Sequence, residues 1–297
     1  MDESEWLAER FEEHRSHLRA VAYRMLGSLA EADEALQDSW IRLSRSDTSG
    51  VENLGGWLTT VVARVCLNTL QSRKSRREEP LDTHVPDPVV REEHAIDPEN
   101  EALMADSVGL AMLVVLETLE PAERLAFVLH DMFDMAFDEI APIVGRSPAA
   151  ARQLASRARR RVKGMAPVPD ADLARQREVA AAFLAAARAG DFDGLVAILD
   201  PDVMLRADGG AVPPGVSRVL RGAEAVAAQA LAYSRRLGHL VRPALVNGAP
   251  GFVSRTPEGR PFSVVGITVT RGRIVEIDIL ADPARLRGLN LTELDEG

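Results

Sequence analysis

Between Arg146 and Lys163 the chain carries seven basic residues and no acidic one. The chemistry open to such a run is phosphate binding. Arginine and glutamine can in addition read base edges in a duplex groove, arginine at guanine and glutamine at adenine. Arg152 and Gln153 are the base-reading candidates, with Ala149, Ser156 and Arg160 on the same side, Ser147 at the start of the run, and Arg157 and Arg161 for phosphates. A second basic group, Arg73, Lys74, Arg76 and Arg77, follows Asn53, Trp57, Thr60, Arg64 and Asn68. Unstacked bases need a polar or aromatic pocket beside a basic track, and this stretch offers both. A third candidate is of another kind: Asp208 in the Gly-rich loop Asp208-Gly209-Gly210 has the form of a general base, with His239 to assist. Nothing completes that site. His14, His17, His84, His94, His130 and His239 lack metal-ligand spacing, and no nucleophile motif is present. No metal, no cofactor and no enzymatic activity are therefore expected.

The elements that must carry these residues follow from periodicity. Leu18, Val21, Ala22, Met25 and Leu26 recur at helical spacing, Gly27-Ser28 punctuates, and a helix pattern resumes over Ala32–Leu43. Trp57, Leu58, Val61, Val62, Val65, Cys66 and Leu70 give a wide apolar helix face and leave Thr60, Arg64 and Asn68 pointing elsewhere. The stretch 138–162 fits a helix-turn-helix. Ile140, Ala141 and Val144 pack the first helix, Gly145 makes the turn, and Ser147 caps a second helix that opens on Pro148. Ala151, Leu154, Ala155 and Ala158 then face inward.

Beyond residue 172 the period changes. Helix patterns at Gln176–Ala189 and Gly222–Leu237 precede strand patterns at Leu240–Val246, Phe252–Arg255, Phe262–Thr270 and Arg273–Leu280. Asn247-Gly248 and Arg271-Gly272 suit hairpin turns. In the last strand Val275, Ile277 and Ile279 alternate with Glu276 and Asp278, which predicts one buried and one wet face. The expected fold is multidomain, two all-α helical domains followed by an α+β domain.

A net charge of −10 argues against nucleic acid only on average. The basic runs are compact, and 80–107 holds eight acidic residues against Arg91 alone, so the distribution fits a protein that touches DNA at two places. Four prolines among those acids mark 78–101 as an extended linker between domains 5–77 and 102–163. Residues 164–172, with Pro167 and Pro169, read as a second linker before a domain over 173–288. The lone Cys66 in an apolar run rules out an intrachain disulfide and fits a reducing cytoplasm. No stretch approaches the roughly 18 apolar residues of a membrane span.

The order of these fragments resembles the extracytoplasmic-function sigma factors of the sigma-70 family. The sigma-2 resemblance rests on Ala22-Tyr23-Arg24-Met25-Leu26-Gly27-Ser28, on residues 31–40 and on Gly56-Trp57-Leu58. The sigma-4 resemblance covers 113–162. It implies that Ala32–Leu43, through Asp33, Glu34, Gln37, Asp38 and Trp40, docks on the clamp helices of the polymerase β′ subunit. Asn53, Trp57, Thr60, Arg64 and Asn68 would face the opened −10 element beside the Arg73–Arg77 track, the helix-turn-helix would take the −35 element, and the sigma-4 module would meet the β flap.

The tail resembles the SnoaL-like members of the NTF2-like superfamily, α+β cones that a subset of these sigma factors carries. That resemblance marks Pro167 and Pro169, the loop Asp208, Gly209 and Gly210, and Asp282 and Pro283 as regulatory interdomain positions. The subset's loop has a third glycine and a lysine where this chain has Ala211 and Val212. The expectation is a promoter-specificity subunit of RNA polymerase tuned by its own C-terminal domain, with room for a small-molecule ligand in the cone. A helix-turn-helix repressor or activator working without polymerase and a cyclase-type enzyme fused to a DNA-binding module are the alternatives.

Overall fold

The computed structural model describes residues 3–45, 51, 53–76, 83–91, 109–210, 217–237, 240–289 and 291, apart from the side chains of 3–6, 236 and 237. Arg77, His94, Ala211, Val212 and His239 lie outside the described residues. The chain forms two compact units, one of residues 1–79, 97–106 and 115–165, the other of 80–96, 107–114 and 166–297.

In the first unit, α1 (Glu3–Leu26), α2 (Leu29–Leu43) and α3 (Leu54–Ser75) bury Leu18, Val21 and Met25, Leu36 and Leu43, and Leu58, Val62 and Cys66. Burial pushes the Cys66 thiol up to about 12, so it stays protonated and inert. The second helical part begins with α4 (Leu110–Glu117), of which 115–117 belong to this unit. It continues through α5 (Pro121–Phe127), which opens on its proline and runs into one π-helical turn at Val128–Met132. α6 (Phe137–Val144) and α7 (Pro148–Met165) complete it.

The two helical parts pack against each other inside this unit. Arg124, only 3% exposed, donates from Nε and Nη2 to the Arg24 carbonyl at 3.1 and 3.0 Å. The Arg24 guanidinium lies 4.8 Å over the Phe133 ring, whose edge meets His17, and Lys74 pairs with Glu120. A buried guanidinium needs acceptors it cannot find in an apolar core, and the Arg24 carbonyl near the end of α1 supplies one.

In the second unit a seven-stranded sheet among the described residues runs in the order β1 (Val90–Arg91), β4 (Val241–Val246), β5 (Ala249–Arg255), β6 (Pro261–Thr270), β7 (Arg273–Leu280), β2 (Leu199–Asp208), β3 (Arg218–Arg221). All pairs are antiparallel except β2 with β7. Three helices, α8 (Leu173–Ala189), α9 (Phe192–Ile198) and α10 (Ala223–Leu237), cover one face with Val179, Phe183, Leu195 and Val226 against Leu205, Phe252, Val265, Ile267 and Ile277. Asp172 caps α8, and the short α11 (Pro283–Arg287) follows β7.

Two expectations need correction here. The face of β7 read as wet is dry: Glu276 and Asp278 are 9% and 2% exposed, and both accept from Arg206 of β2, at 2.8 and 2.5 Å. Alternation shows which side chains share a face; it cannot show that a cation on another strand lets carboxylates be buried. The acidic stretch 78–101, expected to be an extended linker, is packed over 85–90. Val85, Val89 and Val90 are buried, Val90 and Arg91 pair with β4, and Asn247 and Val89 exchange hydrogen bonds: Val89 N–H to Asn247 Oδ1 at 3.0 Å, Asn247 N–H to the Val89 carbonyl at 2.8 Å. The prolines that marked the segment as a linker are also compatible with a strap along a sheet edge.

Candidate nucleic-acid interface and clamp

The helix-turn-helix is built locally. Glu139 reaches back to the Ala136 N–H at 3.1 Å, Gly145 ends α6 with φ 64, and the Ser147 hydroxyl accepts the Ala150 N–H at 3.3 Å. Ala151, Ala155 and Ala158 are fully buried, and Leu154 is half-buried. That fixes the rotation of α7 and leaves Ala149, Arg152, Gln153, Ser156, Arg157, Arg160 and Arg161 exposed, with Ser147 exposed at its cap. The Arg152 guanidinium stands 5.1 Å over the Phe137 ring, which orients it without using up its donors. Arg161 is engaged within its own module, donating to the Thr118 carbonyl at 3.2 Å, and Arg159 pairs with Asp131.

On α3, Asn53 is the N-cap, its side-chain oxygen accepting the Gly56 N–H at 3.0 Å. Trp57 and Thr60 are half-buried, and Arg64 and Asn68 are exposed one and two turns further along the same stripe. Of the basic track at its end, Arg76 is exposed, Arg73 pairs with Glu31 and Lys74 with Glu120. On α2, Asp33, Glu34, Gln37 and Asp38 are exposed beside a groove in which Trp40 meets Phe11 edge-on at 5.4 Å. Asp33 is held by Arg19 at 2.7 Å.

The second unit gathers most of the marked regulatory residues at one place. Asp208, 7% exposed at the end of β2, accepts from the Val85 N–H at 3.1 Å, the Gly210 N–H at 3.0 Å and Arg285 Nη1 at 2.7 Å, with His84 Nδ1 at 3.3 Å. Arg285 also bonds Asp87 and the Val85 carbonyl. Asp282 caps α11, Pro283 takes its first turn, and Gly210 has φ 73, where a Cβ would fall 2.5 Å from Asp282 Oδ2. The Gly209 N–H reaches the Ser217 hydroxyl. Pro167 and Pro169 stand elsewhere, flanking Val168, whose carbonyl accepts from Thr270 beside the β6–β7 turn.

Burial alone would raise the Asp208 carboxyl. Hydrogen bonds from His84 and from the Gly210 and Val85 N–H groups, with the Arg285 charge, outweigh it and hold the group at about 2. A carboxylate so fully occupied is a poor general base at neutral pH, which argues against the catalytic alternative for this residue. His84, Val85 and Asp87 are the residues that sequence reading missed. The signal was a valine–proline–aspartate–proline stretch inside a segment read from its acids and prolines as a linker.

Comparisons with known proteins agree with this architecture. A family model described as Sigma-70 region 2 matches residues 10–76, and one described as Sigma-70, region 4 matches 110–162. The chain is 33% identical over 279 residues to the probable ECF RNA polymerase sigma factor SigI of Mycobacterium tuberculosis, covering 92% of each chain. A crystal structure of the M. tuberculosis extracytoplasmic function sigma factor SigJ superposes with a TM-score of 0.78 at 36% identity, over 96% of this chain and 99% of that one. No helix among the described residues is long and apolar enough to cross a membrane. With 38% identity to the ECF RNA polymerase sigma factor SigJ of M. tuberculosis over 95% of this chain and 94% of that protein, the chain belongs to the extracytoplasmic-function sigma factors of the sigma-70 family.

Proposed function

We propose that this sigma factor directs core RNA polymerase to promoters by reading the −35 element with the exposed stripe of α7 and holding the opened −10 element against α3, and that its C-terminal cone modulates it. The observation that carries the reading is the stripe Ala149, Arg152, Gln153, Ser156 and Arg160 on a second helix whose rotation is fixed by buried alanines. Arg157 and Arg161 serve phosphates, and Ser147 presents the helix N-terminus to one. On α3, Trp57, Thr60, Arg64 and Asn68 face the bases, Asn53 shapes the turn before them, and Arg73, Lys74, Arg76 and Arg77 line the phosphate track. Arg73 and Lys74 are paired with Glu31 and Glu120 and must exchange those partners for phosphate. The place of work is the cytoplasm, with the polymerase, and the role is that of a specificity subunit, not an enzyme. Sequencing the 5′ ends of transcripts made in vitro by core polymerase with and without the protein tests this. Initiation at defined start sites only when the protein is present supports it, and unchanged start sites refute it.

The polar side of α2 is the proposed docking surface for the β′ clamp helices, and the σ4 module meets the β flap. Asp38→Lys is expected to weaken holoenzyme formation on the order of tenfold, about 1.4 kcal/mol, because an exposed charge at an interface contributes by complementarity. Titration of labelled core polymerase with the variant checks it. Unchanged affinity after reversal of Asp33, Glu34 and Asp38 together removes α2 from the interface.

A further inference from the structure

The helix-covered face of the β5–β6 pair departs from its own pattern at one place. Phe252, Val265 and Ile267 face the helices there, but Ser254 and Ser263 stand as cross-strand partners, 1% and 0% exposed. The Tyr233 hydroxyl of α10 reaches both, at 2.6 Å from Ser254 Oγ and 2.7 Å from Ser263 Oγ, which are 2.8 Å apart. Two apolar side chains at these positions would gain burial energy, so three hydroxyls in a dry wall need a use.

Above them lies a cavity of about 80 Å³, walled by Phe183, Leu205, Val241, Phe252, Val265 and Ile277, and Ser254 and Tyr233 also line it. That is several times the roughly 10–15 Å³ one water needs, and apolar walls of this kind favour an organic guest over solvent. The hydroxyl triangle sets the guest's polarity. Three protons can close the three edges of the ring, each hydroxyl donating to the next, so that the remaining lone pairs are acceptors. Burial raises the Tyr233 phenol despite the hydrogen bonds from Ser254 and Ser263, which keeps it neutral at physiological pH.

We propose that this cavity binds a small, mostly apolar molecule bearing one hydroxyl, which donates to the lone pairs of Ser254 and Tyr233. The site lies wholly in the second unit and does not depend on how promoters are read, so either reading can fail alone.

The test uses the full-length protein and three probes of one shape: phenol, toluene in which a methyl replaces the hydroxyl, and anisole which can only accept. Calorimetric or NMR titration is expected to give saturable phenol binding with Kd on the order of 1 mM or tighter, and at least about tenfold weaker toluene and anisole. Ser254→Ala brings phenol to the level of toluene, and Ala230→Trp, which fills the cavity, abolishes binding of all three. The proposal is overturned by absence of saturable phenol binding, by equal affinity for phenol and toluene, or by phenol binding that survives Ala230→Trp. Should either variant fail to fold, the three-probe comparison on the unaltered protein decides.

Discussion

Arg152→Ala and Gln153→Ala are each expected to weaken promoter binding by about 1–3 kcal/mol and to relax the preference at one −35 base pair, the signature of a lost base-edge contact. Arg152 is the stronger case, because the Phe137 ring beneath its guanidinium lowers the entropy of ordering to be supplied on binding. Arg161→Ala is expected to behave differently. Arg161, tied to the Thr118 carbonyl, is proposed as a phosphate holder, so its loss is expected to lower affinity evenly across sequences and to reduce the salt slope by about one. Anisotropy titrations of holoenzyme on duplexes substituted one −35 position at a time, at several salt concentrations, separate the two. If all three variants lower affinity without altering sequence preference, the division of α7 into base readers and phosphate holders is wrong.

The exposed stripe of α7 could be read from sequence because a helix-turn-helix is local. Its caps, its glycine and its alanine stripe lie within about two dozen residues, and each fixes the same rotation of α7. The hairpins of the tail were legible for the same reason, Asn247 and Arg271 both adopting positive φ at the expected turns. What escaped depends on partners far along the chain. β2 contains Pro201 and three aspartates, which disguise a strand, and its pairing with β7 shifts register between Leu199 and Met204. Arg206 then makes a dry face out of Glu276 and Asp278, 70 and 72 residues away. Arg124 closes on the Arg24 carbonyl across 100 residues, so the two helical parts meet where a charged linker suggested independence. The strap at 84–91 is the plainest case. Its acids and prolines describe a solvated segment until Arg285, 198 residues later than Asp87, neutralises it.

Arg285→Ala is therefore expected to have the largest effect in the second unit. It removes the bonds to Asp87, Asp208 and the Val85 carbonyl together, and leaves two carboxylates, of which Asp208 is only 7% exposed, without their shared cation. Breaking such a group costs about 2–4 kcal/mol, at the lower side of a fully buried pair because the guanidinium keeps some solvent. Hydrogen exchange at the Val85 and Val89 amides should quicken by a factor of roughly 30 or more, while the core of β6 and β7 stays protected. The Asp208 carboxyl, held at about 2 instead of 3.8, adds a pH signature. The contribution is fully present above pH 4 and is lost as pH falls through 2, so wild type and Asp208→Asn should converge in stability only in strong acid. The strap follows α3 in sequence after only eight residues, 76–83, so releasing it lengthens the tether between the two promoter-contacting modules and changes their effective concentration on one DNA. Ending the chain at Ala281 removes Asp282 and Arg285 and should copy the point variant in run-off transcription. Ending it at Gly164 removes the whole clamp and should move activity further in the same direction. Equal transcription from the full chain, both truncations and Arg285→Ala would mean that the strap is pinned for stability alone and carries no regulation.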